Sequence, residues 1–270
     1  MAKLKKQHMT IHWKAIVQDD SSIPATEATL KEKATLVGRI GLMMLSVGTG
    51  AWRVRNSMNK VSRCLGITCT ADIGLLAISY TCIEGTDTYT QSISLPTTGV
   101  NTHKLMELEL FMKEFPDKVS TYSVKHIHEV LDEIQKLPAN YQAWNLGLAS
   151  ALACGAFTFL LGGGPVEMCC AFLGAGVGNF VRKKMLGHSI SLLANVAVSV
   201  AASCLVYVLT ILLAQQLLSV SAVHQAGYIC AMLFVIPGFP LITGGIDLAK
   251  LDLRSGLERV SYALLIILTA

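Results

Sequence analysis

The sequence predicts an α-helical multi-pass membrane protein of about five spans with an N-terminal soluble α+β domain. Three observations carry that prediction. The chain of 270 residues is 52% hydrophobic and only 15% charged, where soluble domains carry about 25% charge; its mean hydropathy is +0.52. The charge is concentrated at one end. Residues 1–141 hold sixteen lysines and arginines and fourteen acidic residues, and residues 142–270 hold the remaining six and four, so the two parts face different solvents. Apolar runs of membrane-crossing length then follow one another through the second part.

Three segments are predicted: a polar N-terminal tail over 1–33, a cytoplasmic α+β domain over 34–140 and a transmembrane domain over 141–270. The tail is basic at its start but contains no apolar core of a signal peptide. From Val37 the spacing turns helical. Val37, Gly41, Met44, Gly48 and Ala51 share a stripe that Val54, Met58, Val61 and Leu65 continue, which predicts one long amphipathic helix over about 34–64. Arg55, Asn59 and Arg63 share another stripe. It reads as a solvated face, or as the place where Arg53 and Arg55 meet an anion or an acidic partner. Residues 73–83 are apolar on both strand faces, Glu84-Gly85-Thr86-Asp87 reads as a turn, and 88–95 alternate Thr and Ser with Tyr89, Gln91, Ile93 and Leu95. A β-hairpin follows, with its first strand central and its second more exposed. A short helix over 101–115 turns Leu105, Leu108, Met112 and Phe115 inward. A second, over about 121–137, does the same with Val124, Ile127, Leu131 and Ile134, capped by Ser120 or Thr121 and stopped by Pro138.

The residues of this domain offer no active site. His126 and His128 are two apart, so on a helix they point to different faces, and His103 has no Cys or carboxylate at ligand spacing. None of the eight cysteines forms a Cys-x-x-Cys pair, and five lie in the apolar part, where they read as small hydrophobes. No metal, no cofactor and no enzymatic activity are therefore expected. With no basic stripe interleaved with aromatics, nucleic acid is not an expected partner either.

In the second part the predicted spans are about 142–161, 166–181, 189–213, 225–248 and from 256 onward. All six basic residues fall in two places, Arg182-Lys183-Lys184 and the stretch holding Lys250, Arg254 and Arg259, while the loops 162–165 and 219–224 carry none. Five spans leaving a cytoplasmic domain place both basic loops inside, in agreement with the positive-inside rule. The expected location is the plasma (inner) membrane, with the N-terminal domain cytoplasmic and the C-terminus outside.

Small residues recur at spacing four: Gly147, Ala151 and Gly155 on one span, Gly174 and Gly178 on the next. They predict close helix packing, within one subunit or between subunits. Pro237-Gly238 near the middle of the fourth span predicts a break, and broken helices at mid-membrane are where transporters bind cargo. Ionisable and amide groups in the spans are functional candidates. These are Glu167 after the Gly162-Gly163-Gly164-Pro165 turn, Asn179 on the second span and Asp247 past the break. Asp247 suits a proton or substrate site, or a pairing with Arg254 or Arg259.

Taken together, this pattern resembles the threonine/serine exporter family. The carrying residues are Gly41 to Gly48 leading to Arg53-Val54-Arg55, Met58 and Leu65-Gly66, then Pro237-Gly238-Phe239-Pro240-Leu241-Ile242, Asp247, Ser255-Gly256-Leu257 and Arg259. Where the family carries an acidic residue after Arg-Val, this chain has Arg55, and residues 88–95 lack the arginine common in that strand. The resemblance implies proton-driven export of small polar metabolites such as threonine and serine. Single-chain members have about ten spans. A five-span chain is similar to the larger subunit of the two-component members, one of which exports succinate, and that implies a small five-span partner or a homo-oligomer. A membrane-anchored enzyme with a soluble catalytic domain is the alternative of another class.

Overall fold

The computed structural model describes residue 13 and residues 23–138, 141–186, 188, 190–218 and 225–270. Most of the predicted tail and the predicted 219–224 loop lie outside the described residues. By their contacts the residues form two compact units. One comprises 1–138 with 239–260, the other 139–238 with 261–270.

The first unit is built on helix α1 (Leu30–Ser46). Thr29 and Glu32 close a capping box at its start. Leu36, Val37, Ile40, Met44 and Leu45 are all buried to within 1%, so α1 is enclosed on nearly every side. Lys33 and Arg39 are buried with partners. Lys33 reaches Glu84 at 2.6 Å, and Arg39 binds Asp132, the His128 carbonyl at 2.9 Å and Gln135 at 3.2 Å.

The single helix expected over 34–64 is two helices, because α1 stops at Ser46 and α2 (Ala51–Cys64) begins afresh. Gly48 takes φ +90°, a conformation that favours glycine. The Thr49 hydroxyl donates to the Met44 carbonyl at 2.8 Å, and Gly50 is extended as the N-cap of α2.

A three-stranded antiparallel sheet follows: β1 (Thr68–Ile73), β2 (Ala77–Glu84) and β3 (Asp87–Ser94), in the order β1-β2-β3. The expected hairpin is β2–β3, with β2 central and Gly85 at φ +59° in its turn. β1 is an additional strand, and the run 73–83 in fact crosses the β1–β2 turn, where the Gly74 amide donates to the Ala77 carbonyl at 2.8 Å. Cys69 and Cys82 stand opposite each other. A hydrogen bond between the two thiols lowers the pKa of Cys69 and, together with burial, raises that of Cys82.

Helix α3 (Thr102–Lys118) buries Leu108, Met112 and Phe115, and α4 (Val124–Lys136) buries Val124, Ile127, Leu131 and Ile134. The cap of α4 is Ser123, which accepts from the His126 amide at 3.3 Å. Residues 121 and 122 still close a turn onto the Lys118 carbonyl, which moves the helix start past the expected Ser120 or Thr121.

The second unit is helical: α5 (Ala143–Leu160), α6 (Pro165–Met185), α7 (Leu192–Leu218) and the short α8 (Gln225–Ala231). Among the described residues, two helices are long and apolar enough to cross a membrane, 143–160 and 192–217. Only 28% and 33% of their residues are buried, and Trp144, Leu152, Phe159, Leu205, Leu209 and Leu217 project outward. Such an apolar exterior is the surface a bilayer covers. The stretch expected as the fourth span is interrupted, as its proline predicts. After α8 a 3₁₀ turn covers Leu233–Val235, and α9 (Gly238–Ala249) starts only after Pro237. Helix α10 (Leu253–Thr269) completes the chain described.

Candidate functional site around Asp247

The break between α1 and α2 exposes two sets of backbone groups: the last carbonyls of one helix and the first amides of the next. The α1 carbonyls are met by Thr49, Thr98 and the Gly99 amide. The first amide of α2 and the Gly48 and Thr49 carbonyls of the linker are taken by side chains of α9 and α10, in residues that belong to the same unit. Asp247 Oδ2 accepts from the Ala51 amide at 3.0 Å and from the Ser255 hydroxyl at 2.9 Å. Gly50 has no side chain to cap α2, so Asp247 does that work from 196 residues away. A carboxylate at this end also meets the positive pole of the helix.

Arg259 completes the arrangement. Its Nε lies 3.2 Å from Asp247 Oδ2 and donates to Ser255 Oγ at 3.1 Å. Its Nη2 donates to the Thr49 carbonyl at 2.7 Å, and its Nη1 reaches the Gly48 carbonyl at 3.5 Å. Asp247 therefore sits at the positive pole of α2, and Arg259 on the carbonyls of the linker before it. Asp247 is 0% exposed, Ser255 1% and Arg259 2%, so the pair is dry, and removing one member strands the other. Asp247 Oδ1 has no hydrogen-bond partner among the described residues. A Cβ on Gly50 would come within 2.9 Å of that oxygen; only glycine leaves it room.

A second tier of charges surrounds the pair. Arg55 binds Asp252 at 2.8 Å and the Ala71 carbonyl at 3.3 Å. Arg254 binds Asp72 and, at 3.2 Å, Glu258, whose carboxylate also accepts from the Leu75 amide at 2.6 Å. Lys250 lies over the Trp52 ring at 4.6 Å. Arg53 pairs with Glu109 at 2.5 Å. Both signature arginines thus meet acidic partners within the chain. Of the two cations weighed for Asp247, Arg259 is the one that meets it. Gly50, Asp252 and Glu258 escaped the sequence reading. The Gly48-Thr49-Gly50 run, two glycines inside a helical stripe, was the available signal.

The other candidates lie in the second unit. Glu167, 3% exposed, accepts from the Gly164 amide at 2.8 Å at the start of α6. Asn179 donates to the Leu146 carbonyl at 3.0 Å and to Ser150, which ties α6 to α5. Pro237 ends the 3₁₀ segment, and the Gly238 amide turns back to the Ile236 carbonyl at 2.9 Å. The small residues mark close contacts inside this unit. A Cβ on Gly147 would lie 3.1 Å from the Gly176 carbonyl, on Gly155 3.4 Å from the Met168 carbonyl, on Gly174 2.9 Å from the Ser203 carbonyl and on Gly178 2.7 Å from Ser203 Cβ. Among the described residues no group of His, Cys, Asp and Glu is placed to hold a metal ion. His128 is buried beside Arg39, and His126 packs edge-on to Tyr122.

Comparison with known proteins bears on this geometry. A family model described as "Putative threonine/serine exporter" matches residues 35–270. Two curated relatives carry the name "Probable succinate transporter subunit YjjP". The one from Klebsiella aerogenes is 24% identical over 228 residues, covering 84% of this chain and 85% of the relative. The one from Escherichia coli K12 is 24% identical over 229 residues, covering 84% and 86%. No solved structure matches.

Proposed function

The chain belongs to the threonine/serine exporter family, and from that premise we propose that it is one subunit of an exporter of small carboxylate metabolites in the plasma (inner) membrane. The cargo is a succinate-type dicarboxylate, with threonine and serine as the second reading. The name of the two relatives favours the first, since they align over most of their length, and the family description favours the second. Both cargoes carry a carboxylate. Residues 34–140 form the cytoplasmic domain, residues 141–270 supply about five spans, and a small five-span partner or further copies complete the transporter. Glu167 and the interruption at Pro237-Gly238 contribute to the membrane path.

The observation that carries this reading is Asp247, a fully buried carboxylate held between Arg259 and the start of α2. An exporter driven by the proton gradient needs a group whose protonation alters a conformational balance. Protonating Asp247 removes the countercharge of Arg259 and weakens the hold of α9 and α10 on the α1–α2 break. The test is efflux of preloaded labelled succinate, threonine and serine from cells expressing the chain, alone and with a small five-span partner. Asp247→Asn is expected to abolish efflux at normal membrane abundance. Unchanged efflux in that variant would remove Asp247 from the mechanism, and no efflux of any cargo by the parent chain would overturn the carboxylate reading.

A further inference from the structure

Helix α7 is the more apolar of the two membrane-length helices, with a mean hydropathy of 2.5, yet its buried face carries a row of polar residues beside Val196, Val200 and Ile211. Asn195, Ser199, Ser203 and Tyr207 follow at spacing four and are 2%, 0%, 0% and 2% exposed. The opposite face presents Val198, Leu205 and Leu209, 47%, 64% and 66% exposed. Polar groups thus line the inside of the second unit over about 18 Å of helix.

Each end of the row lies near a residue that carries charge. At one end Asn195 Nδ2 donates to the Arg182 carbonyl at 3.2 Å, and the Arg182 guanidinium donates to the Phe234 carbonyl at 3.1 Å. Among the described residues Arg182 has no carboxylate partner. At the other end Tyr207 packs on Gly227, where a Cβ would lie 2.4 Å from the phenol oxygen and 3.1 Å from Glu167 Cβ. Two elements face the row: α6, whose Gly174 and Gly178 approach Ser203, and the interrupted α8 and 3₁₀ segment, whose Ala231 carbonyl accepts from Ser203 at 2.7 Å.

Hydroxyls also serve as plain glue between membrane helices. Glue, however, should be satisfied, because an unpaired polar atom in hydrocarbon is costly. Here the Tyr207 hydroxyl and Asn195 Oδ1, the two ends of the row, are buried without a hydrogen-bond partner among the described residues. Irregular backbone at membrane depth is likewise tolerated where it lines a cavity.

Resting on the exporter reading above, we propose that the carboxylate cargo crosses the second unit along this row. Arg182 receives the carboxylate, Asn195, Ser199 and Ser203 take over its hydrogen bonds from water, and Tyr207 passes it on beside Glu167. The row is closed in this structure by α6 and α8, so passage requires them to part from α7. The cargo class is a small aliphatic mono- or dicarboxylate.

Two measurements on the full chain in membranes test this. Tyr207→Phe removes an oxygen that makes no hydrogen bond here, so abundance should be unchanged, while efflux of labelled succinate should fall about tenfold or more, the loss of one hydrogen bond to a charged cargo. Separately, Ser199→Cys and Ser203→Cys should react with a small anionic methanethiosulfonate, read by mass at each position, and saturating succinate should slow the reaction. Val198→Cys, on the outward face, should stay unreacted. Cysteines at 199 and 203 as inert as the one at 198, or reactive but not protected, together with full efflux by Tyr207→Phe, would overturn the path. If the parent chain moves no succinate, threonine or serine yet 199 and 203 react, the cargo assignment fails and the path stands.

Discussion

Arg254 and Arg259 lie five positions apart on one helix and both are ion-paired, but their surroundings assign them different roles. Arg254 is 60% exposed, and its partners Asp72 and Glu258 are 55% and 39% exposed. Water screens such a contact, and exposed pairs contribute about 0–1 kcal/mol. The Arg259 and Asp247 side chains are 3% and 0% exposed, and the guanidinium also holds two carbonyls of the α1–α2 break. Truncating one partner of a buried pair costs about 3–5 kcal/mol. Arg259→Gln should therefore lower the thermal unfolding midpoint of the purified full chain severely, and Arg254→Gln barely. Equal shifts would mean that water reaches the Asp247 site and that the pair is not the lock its geometry describes.

At the scale of elements, the sequence was most informative where a local rule acts. Pro237 predicts an interruption because its ring forbids continuation whatever surrounds it, and the interruption is there. Amphipathic spacing identified the inward residues of α3 and α4 because burial follows the helical period. The break after Ser46 was hidden because Gly48 and Ala51 fit the same stripe on either side of it. β1 was hidden because Leu75 and Leu76 make its turn look like strand. The Asp247 site was only half legible: a charged residue in an apolar run stands out, but its cap on α2 depends on a contact spanning most of the chain. The α9–α10 turn carries a local feature of its own. Leu251 takes φ +62° and is 81% exposed, so it is strained and buries little. Left-handed backbone costs a non-glycine residue about 1–2 kcal/mol, part of which glycine returns as chain entropy. Leu251→Gly should raise stability by about 1 kcal/mol, seen as a higher unfolding midpoint, while Leu251→Ala should not. A lowered midpoint with glycine would show that the leucine side chain has a partner in the assembled transporter.

For the whole molecule, two arguments support the proposed orientation in the membrane. The first counts charge: Arg182, Lys183 and Lys184 lie in the last turn of α6, Lys250 and Arg254 lie around the α9–α10 turn, and the positive-inside rule sends both places to the cytoplasm. The second is contact. Asp252 pairs with Arg55, Arg254 with Asp72, and Glu258 accepts from Leu75, so the α9–α10 turn must lie on the same side as the charge-rich unit formed by residues up to 138. If that unit is cytoplasmic the turn is too, and α10 then leads outward. On that proposal the number of crossings is odd, with the N-terminus inside and the C-terminus outside. Alkaline phosphatase fused after Ala270 should be active, and a fluorescent protein fused there dark, with the reverse at the N-terminus. A fluorescent C-terminal fusion would require an even number of crossings. Because the contacts fix the turn beside the charge-rich unit, the crossing then lost would have to be α10 itself, and the polar row of α7 would have to work without a fifth span.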